Sequence, residues 1–270
     1  MIAESVVPGP ARGLAALLDL PTEPIVAGWT LPPLWHWVYL LEHPRQSDLG
    51  PEGHARQGIP KPPREGLRRM YAGGRVRTYR PLVVGEEVTG ELEVVSTRER
   101  TGRSGWMSIV TTRRTVRQRG EVAITDEVDI IYREPTRLEI SPGPPDEPGQ
   151  ELQPAGTEVT VDQAYLFRFS ALTLNSHRIH YDVDYCRNEE DYPDLVVHGP
   201  LQGLLMSEAA RQLEPAPASL FEYRLVAPLV LGQGLFVQTA RADEKALTTL
   251  IQDRAGRTTA VGKLLDLEPA

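Results

Sequence analysis

Arg80-Pro81-Leu82-Val83-Val84-Gly85 and Ala227-Pro228-Leu229-Val230-Leu231-Gly232 write one hexapeptide pattern twice, once in each half of a 270-residue chain. After the first copy, Val88–Arg98, Trp106–Gln118 and Glu121–Tyr132 alternate apolar with polar residues and are rich in Val, Ile and Thr. After the second, Leu235–Ala242, Leu247–Asp253 and Thr258–Asp266 do the same. Period-two alternation of this kind predicts half-buried antiparallel strands. Arg119-Gly120 and Ala255-Gly256 fit the turns between them. A repeated hexapeptide with the same strand order behind it predicts a duplicated unit.

Each half also has a helix candidate ahead of its strands. Gly199-Pro200-Leu201 opens a run to Leu213 that stops before Pro215. Proline suits the first helical position, and Leu201, Leu204, Leu205, Ala209 and Leu213 make the run apolar over much of its surface. Such a helix should be largely enwrapped. Leu31–Glu42 (LPPLWHWVYLLE) occupies the equivalent place in the first half, followed by Pro44–Arg64, a Pro/Gly/charge-rich insertion that reads as a loop. Between Glu134 and Thr157 six prolines and three glycines remove amide donors and resist ordered structure, which predicts an extended connector. The expected layout is a first unit over 1–134, a linker over 135–156 and a second unit over 157–270. A long helix wrapped by a bent antiparallel sheet is the hot-dog architecture. The predicted fold class is therefore α+β, a double hot dog: two long helices, each wrapped by a sheet, with the sheets joined edge to edge so that fewer strand edges are exposed.

Composition narrows the function. Against 37 Asp and Glu stand 29 Lys and Arg, a formal charge of −8, which argues against a nucleic-acid partner. The single cysteine, Cys186, excludes a disulfide scaffold and any cysteine-rich zinc site. No run is long enough to span a bilayer, and Met1–Leu20 is a poor signal peptide. The expectation is a cytoplasmic protein with no membrane partner.

The densest polar cluster runs from Phe169 to Asp182 and is followed by Val197-His198-Gly199-Pro200, so that three of six histidines fall within one short stretch. Histidine titrates nearest neutrality and is the usual general acid or base. Gly199 opens a helix, whose first N–H groups are unpaired and partly positive. Aimed at a carbonyl, such groups stabilise a developing oxyanion, and glycine lets the ligand come close.

The segment from Phe169 to Leu201 resembles the hydratase motif of the MaoC-like and R-specific enoyl-CoA hydratases. That motif has an aspartate, an asparagine or serine two residues on, a histidine three further, and a downstream His-Gly helix start. The resemblance places the catalytic histidine on His180 and the oxyanion-hole glycine on Gly199. The aspartate position falls on Asn175, a departure. N-S-H-R-I-H-Y-D with V-V-H-G-P-L-Q is similar to a subgroup that comprises mesaconyl-C4-CoA and itaconyl-CoA hydratases and mitochondrial-type 3-hydroxyacyl-thioester dehydratases. Leu34-Trp35-His36-Trp37, Leu49-Gly50-Pro51-Glu52-Gly53-His54 and Arg68–Gly74 resemble that subgroup's first hot dog, so the likeness spans nearly the whole chain.

What the resemblance implies is a hydro-lyase that interconverts an enoyl-CoA and its 3-hydroxyacyl form, with a short branched or dicarboxylic acyl group. Coenzyme A enters only as part of the substrate, and no cofactor is expected. Asn175 cannot transfer a proton at neutral pH, so His180 should move protons in both directions. Asp182 is expected to orient His180 or its loop, and His177 or His198 to relay protons. Arg68 and Arg69 are the expected contacts for a carboxylate or phosphate. Trp29, Trp35, Trp37 and Tyr39 are expected to pack the first helix rather than line an acyl tunnel. His177-x-x-His180 lacks a third well-placed ligand, so no metal is expected. Two other readings stay open: a fatty-acid-synthesis dehydratase acting on acyl carrier protein, and an acyl-CoA-binding hot dog without turnover. A monomer and a homodimer of double hot dogs are equally compatible with the sequence.

Overall fold

The computed structural model describes residues 1–64, 66–102, 105–134, 156–215 and 218–267. Residues 135–155, which hold nearly all of the expected linker, lie outside them.

The strands predicted from alternation form where expected: β3 (Glu87–Gly102), β4 (Gly105–Gln118) and β5 (Glu121–Arg133) in the first half, and β8 (Phe236–Asp243), β9 (Ala246–Gln252) and β10 (Thr258–Asp266) in the second. Four further strands complete the sheet: β1 (Ile2–Ser5), β2 (Arg68–Thr78), β6 (Thr157–Glu158) and β7 (Ser219–Leu225). Among the described residues all ten strands form one sheet, in the order β1-β3-β4-β5-β2-β7-β10-β9-β8-β6. Read outward from the centre, each side repeats the same connectivity, and β2 pairs β7 antiparallel across the joint. Arg75 faces Glu222 there. The sequence offset that carries Arg80 onto Ala227 also carries Arg75 onto Glu222, so the pseudo-twofold axis passes through that pair.

The hexapeptide repeat has one structural job in both halves. Val83 bridges Thr30 and Val230 bridges Val196. Leu31 N–H donates to the Leu82 carbonyl, and Val197 N–H donates to the Leu229 carbonyl. The repeat thus clamps the segment that leads into each central helix position.

Beyond the clamp the two halves diverge. In the second, α4 (Gly199–Leu213) forms over the predicted residues and is buried along most of its length, Leu201, Leu204, Met206 and Ala210 being almost inaccessible. Each of the two leucines and the methionine contributes roughly 1.5–3 kcal/mol on burial. In the first half the expected long helix over Leu31–Glu42 does not form; only a 3-10 turn, Trp35–Val38, is present. The reason is local. The clamp aligns Thr30 with Val196, so the proline pair Pro32-Pro33 takes the place of His198-Gly199, and Leu34 and Leu40 both turn left-handed at φ 68° and 54°. Trp35 instead packs against α4 and donates its indole N–H to buried Glu208 at 2.7 Å. The architecture remains a double hot dog, with one long helix and one residual turn.

Two outer helices occupy equivalent places after the edge strands: α1 (Pro8–Leu17) and α2 (Gln163–Thr173), the latter capped by Asp162 accepting from Tyr165 N–H. A short helix, α3 (Val183–Glu189), follows α2. None of the helices among the described residues is long and apolar enough to cross a membrane.

At the joint, a bulge between Tyr71 and Gly73 brings β7 close enough that a Cβ on Gly73 would lie 2.3 Å from the Tyr223 carbonyl oxygen, at a φ of +138°. Only glycine fits there. Gly73→Ala should therefore destabilise the protein by about 2 kcal/mol or more, read as a lowered melting temperature; an unchanged melt would mean that the joint tolerates separation.

Candidate active site

A cavity of about 560 Å³ opens at the joint, walled by β2 and β5, the α4 N-terminus, the segment after α2 and the insertion of the first half. His180, Asn175, His177, Gly199 and Arg69 all line it, so five of the residues singled out in the sequence meet in one space.

His180 lies on a 3-10 turn (Arg178–His180) and is almost fully buried. Its Nδ1 stands 2.7 Å from the Val196 carbonyl oxygen. A carbonyl can only accept, so Nδ1 carries the proton and the neutral ring presents Nε2 as a lone pair, the form needed in a base. Burial lowers the His180 pKa to about 4 and so keeps it neutral. His198 stacks on it with ring centroids 3.5 Å apart and meets the Ser170 hydroxyl through Nε2 at 2.8 Å. His177 presents its ring edge-on to His180 at 5.7 Å.

Asn175 accepts the His177 N–H on Oδ1 at 3.2 Å, which leaves its amide N–H groups as donors. Gly199 begins α4, where its N–H has no partner within the helix. A Cβ at this position would meet Leu225 at 2.2 Å and Tyr71 at 3.2 Å, so the space above the helix start is narrow.

One expectation is corrected, and one is met by its second alternative. Arg68 does not reach the cavity: its Nε pairs with Glu190 at 2.9 Å, and only 8% of its side chain is exposed. Adjacent residues on a strand point to opposite faces, so Arg68 and Arg69 cannot serve one ligand, and Arg69 is the one that faces the cavity. Asp182 does not touch His180. It caps α3 by accepting from Tyr185 N–H and pairs with Arg178, so it fixes the loop while the Val196 carbonyl orients the ring. The aromatic expectation holds in part: Trp35 is buried in the core, whereas Trp37 and Tyr39 line the cavity.

Two groups were missed. The insertion read as a loop is docked on the catalytic segment: Ser176 donates its hydroxyl to the Gly53 carbonyl, and Arg178 N–H donates to that of Glu52. Backbone approaches backbone so closely there that only glycine fits at position 53, where φ is +95°. This sets the His54 ring 4.2 Å from that of His177. The second group is Asp126, which accepts from the Trp37 indole at 2.7 Å and lies 3.1 Å from His36 Nε2. Pairs so distant in sequence leave no periodic signal. Among the described residues no group of three or more His, Cys, Asp or Glu side chains is placed to hold a metal ion.

The profile of the family described as hydroxyacyl-thioester dehydratase type 2 matches residues 34–231. Mesaconyl-C(4)-CoA hydratase of Chloroflexus aurantiacus is 42% identical over 223 residues, 81% of this chain and 78% of that protein. Among solved structures, a MaoC-like dehydratase from Phytophthora capsici superposes with a TM-score of 0.69 at 15% identity, over 99% of this chain and 95% of that one. A Mycobacterium tuberculosis protein described as having a double hotdog fold gives 0.57 at 17%, over 98% and 94%. At such identities the structures speak for the fold.

The buried histidines make stability depend on pH. Burial is the largest cause in each case, lowering His54 to about 3, His177 to about 2 and His180 to about 4, with His198 also well below its usual value. Unfolded, each titrates near 6.5. The unfolded chain therefore binds more protons below that pH, so stability is fully present above about 6.5 and falls as the pH drops toward 4. Each histidine contributes up to about 1.4 kcal/mol per pH unit. Urea midpoints measured from pH 7 to 4.5 should fall steeply, and less so in His177→Gln. A flat profile would contradict the buried, neutral cluster.

Proposed function

Since the chain belongs to the hydroxyacyl-thioester dehydratase type 2 family, we propose that it is a hydro-lyase interconverting an enoyl-CoA thioester and its 3-hydroxyacyl form at this cavity. The observation that carries the reading is the convergence of a base with a fixed tautomer, His180, and an unpaired helix N–H, Gly199, on one cavity. In hydration, His180 Nε2 takes a proton from water as the oxygen attacks C3. The electron pair of the double bond moves toward the thioester carbonyl, and the Gly199 N–H stabilises the negative oxygen. His180 then returns its proton to C2, so one base serves both steps and no bond is left unbalanced. Asn175, with its donors free, positions the water or the thioester.

The acyl group is short. Trp37, Tyr39 and Tyr71 narrow the first-half side of the cavity, where a long chain would otherwise run. The relative that acts on a mesaconyl thioester favours a branched dicarboxylic acyl group, mesaconyl- or itaconyl-CoA, over a fatty acyl chain.

His180→Gln should lower kcat by about 10³-fold with the fold intact, followed as loss of the absorbance change on enoyl-thioester hydration. Near-normal turnover would remove His180 from the mechanism. Asn175→Asp should remain active, because the carboxylate fills the same space and restores a proton-accepting group.

A further inference from the structure

Among the described residues, one stretch of the cavity wall gathers a guanidinium and imidazoles with no carboxylate between them. Arg69 sits two positions before Tyr71 on β2, so the two share a face of the strand, and Tyr71 borders the space above Gly199. Among the described residues Arg69 makes no hydrogen bond or ion pair, in contrast to Arg68 beside it. Its positive charge reaches His54 and His177 and helps to hold both neutral. Neither of those rings has a hydrogen-bond partner among the described residues, although His177 is only 8% exposed. Their nitrogens therefore remain available to a ligand.

Among the described residues, the two carboxylates on the cavity wall stand apart from this cluster. Glu42 is at the exposed rim. Asp126 is held by Trp37 and His36; it lies roughly 20 Å along β5 from Tyr132, the strand partner of Arg69. A half-buried arginine with no counter-ion among the described residues, next to imidazoles with open nitrogens, is a site for an anion. The reacting atoms say where that anion would be. With the thioester carbonyl at Gly199 and C3 at His180, a substituent on C3 falls toward His177 and Arg69. A carboxylate on C3 is three bonds from the thioester carbon, within the reach of a long arginine side chain.

We infer that Arg69, His54 and His177 form a carboxylate subsite that selects enoyl thioesters bearing a carboxylate on the β-carbon. This rests on the hydratase reading above.

The test compares hydration of fumaryl-CoA and crotonyl-CoA, which differ only by carboxylate in place of methyl on C3, by the wild-type protein and by Arg69→Met, Arg69→Lys and His54→Gln. The readout is the ratio of the two kcat/KM values, which does not change with the fraction of a variant that folds. The wild type should prefer the carboxylated thioester. Arg69→Met should lower the ratio about 100-fold, Arg69→Lys should recover part of it, and His54→Gln should lower it by a smaller factor. An unchanged ratio, with equal losses on both thioesters, overturns the subsite and assigns Arg69 to the phosphates of coenzyme A. A wild-type preference for crotonyl-CoA overturns it as well, and leaves the hydratase reading standing. Hydration of neither thioester by the wild type removes both.

Discussion

Strands β2 and β7 pair over Gly73–Thr78 and Ser219–Arg224, and this single ladder fuses two five-stranded sheets into one. Both strands would otherwise present unpaired edges. The ladder also fixes where chemistry can occur. It sets Tyr71 and Tyr223 side by side, hydroxyl to hydroxyl, under the first turns of α4. The cavity opens along the same joint, so one wall comes from each half.

Duplication gave two equivalent positions, and they have diverged in opposite directions. In the second half the clamp leads into His198-Gly199 and a full helix whose first N–H has no partner within the helix. In the first, Pro32-Pro33 occupies the corresponding step and the chain turns away. Divergence extends to the sheet: by the pairing with Arg75 and Glu222, Asp126 corresponds to Gly262, so the carboxylate that holds Trp37 has no counterpart. The first half keeps no hydratase motif, yet it supplies Arg69, Tyr71, Trp37 and His54 to the cavity. The site is composite, and neither half could form it alone.

The parts legible in the sequence were those governed by local rules. Alternation placed five strands to within one residue at each end and the sixth, β3, short by four at its C-terminal end, and Pro200 with an apolar run placed α4. The likeness of Phe169–Leu201 to a known motif singled out His180, Asn175 and Gly199. What escaped notice depends on long-range fit. Strand β2 carries arginines and a glycine pair, which weaken any strand pattern, and its glycines make sense only against the Tyr223 carbonyl and the neighbouring strand. The helix expected over Leu31–Glu42 failed because two prolines and two left-handed residues outweigh its apolar content. Arg68 and Arg69 look alike in sequence, and the pleat alone separates them. His54 became visible as a cavity residue only once the insertion was seen docked on Ser176.

The central claim is that a thioester lies between the His180 ring and the start of α4, and the most direct measurement is the structure of the protein with an unreactive, saturated acyl-CoA bound. The account predicts the thioester oxygen within about 3 Å of the Gly199 nitrogen and C3 facing His180 Nε2. A thioester turned away from α4, or seated elsewhere on the sheet, would contradict it.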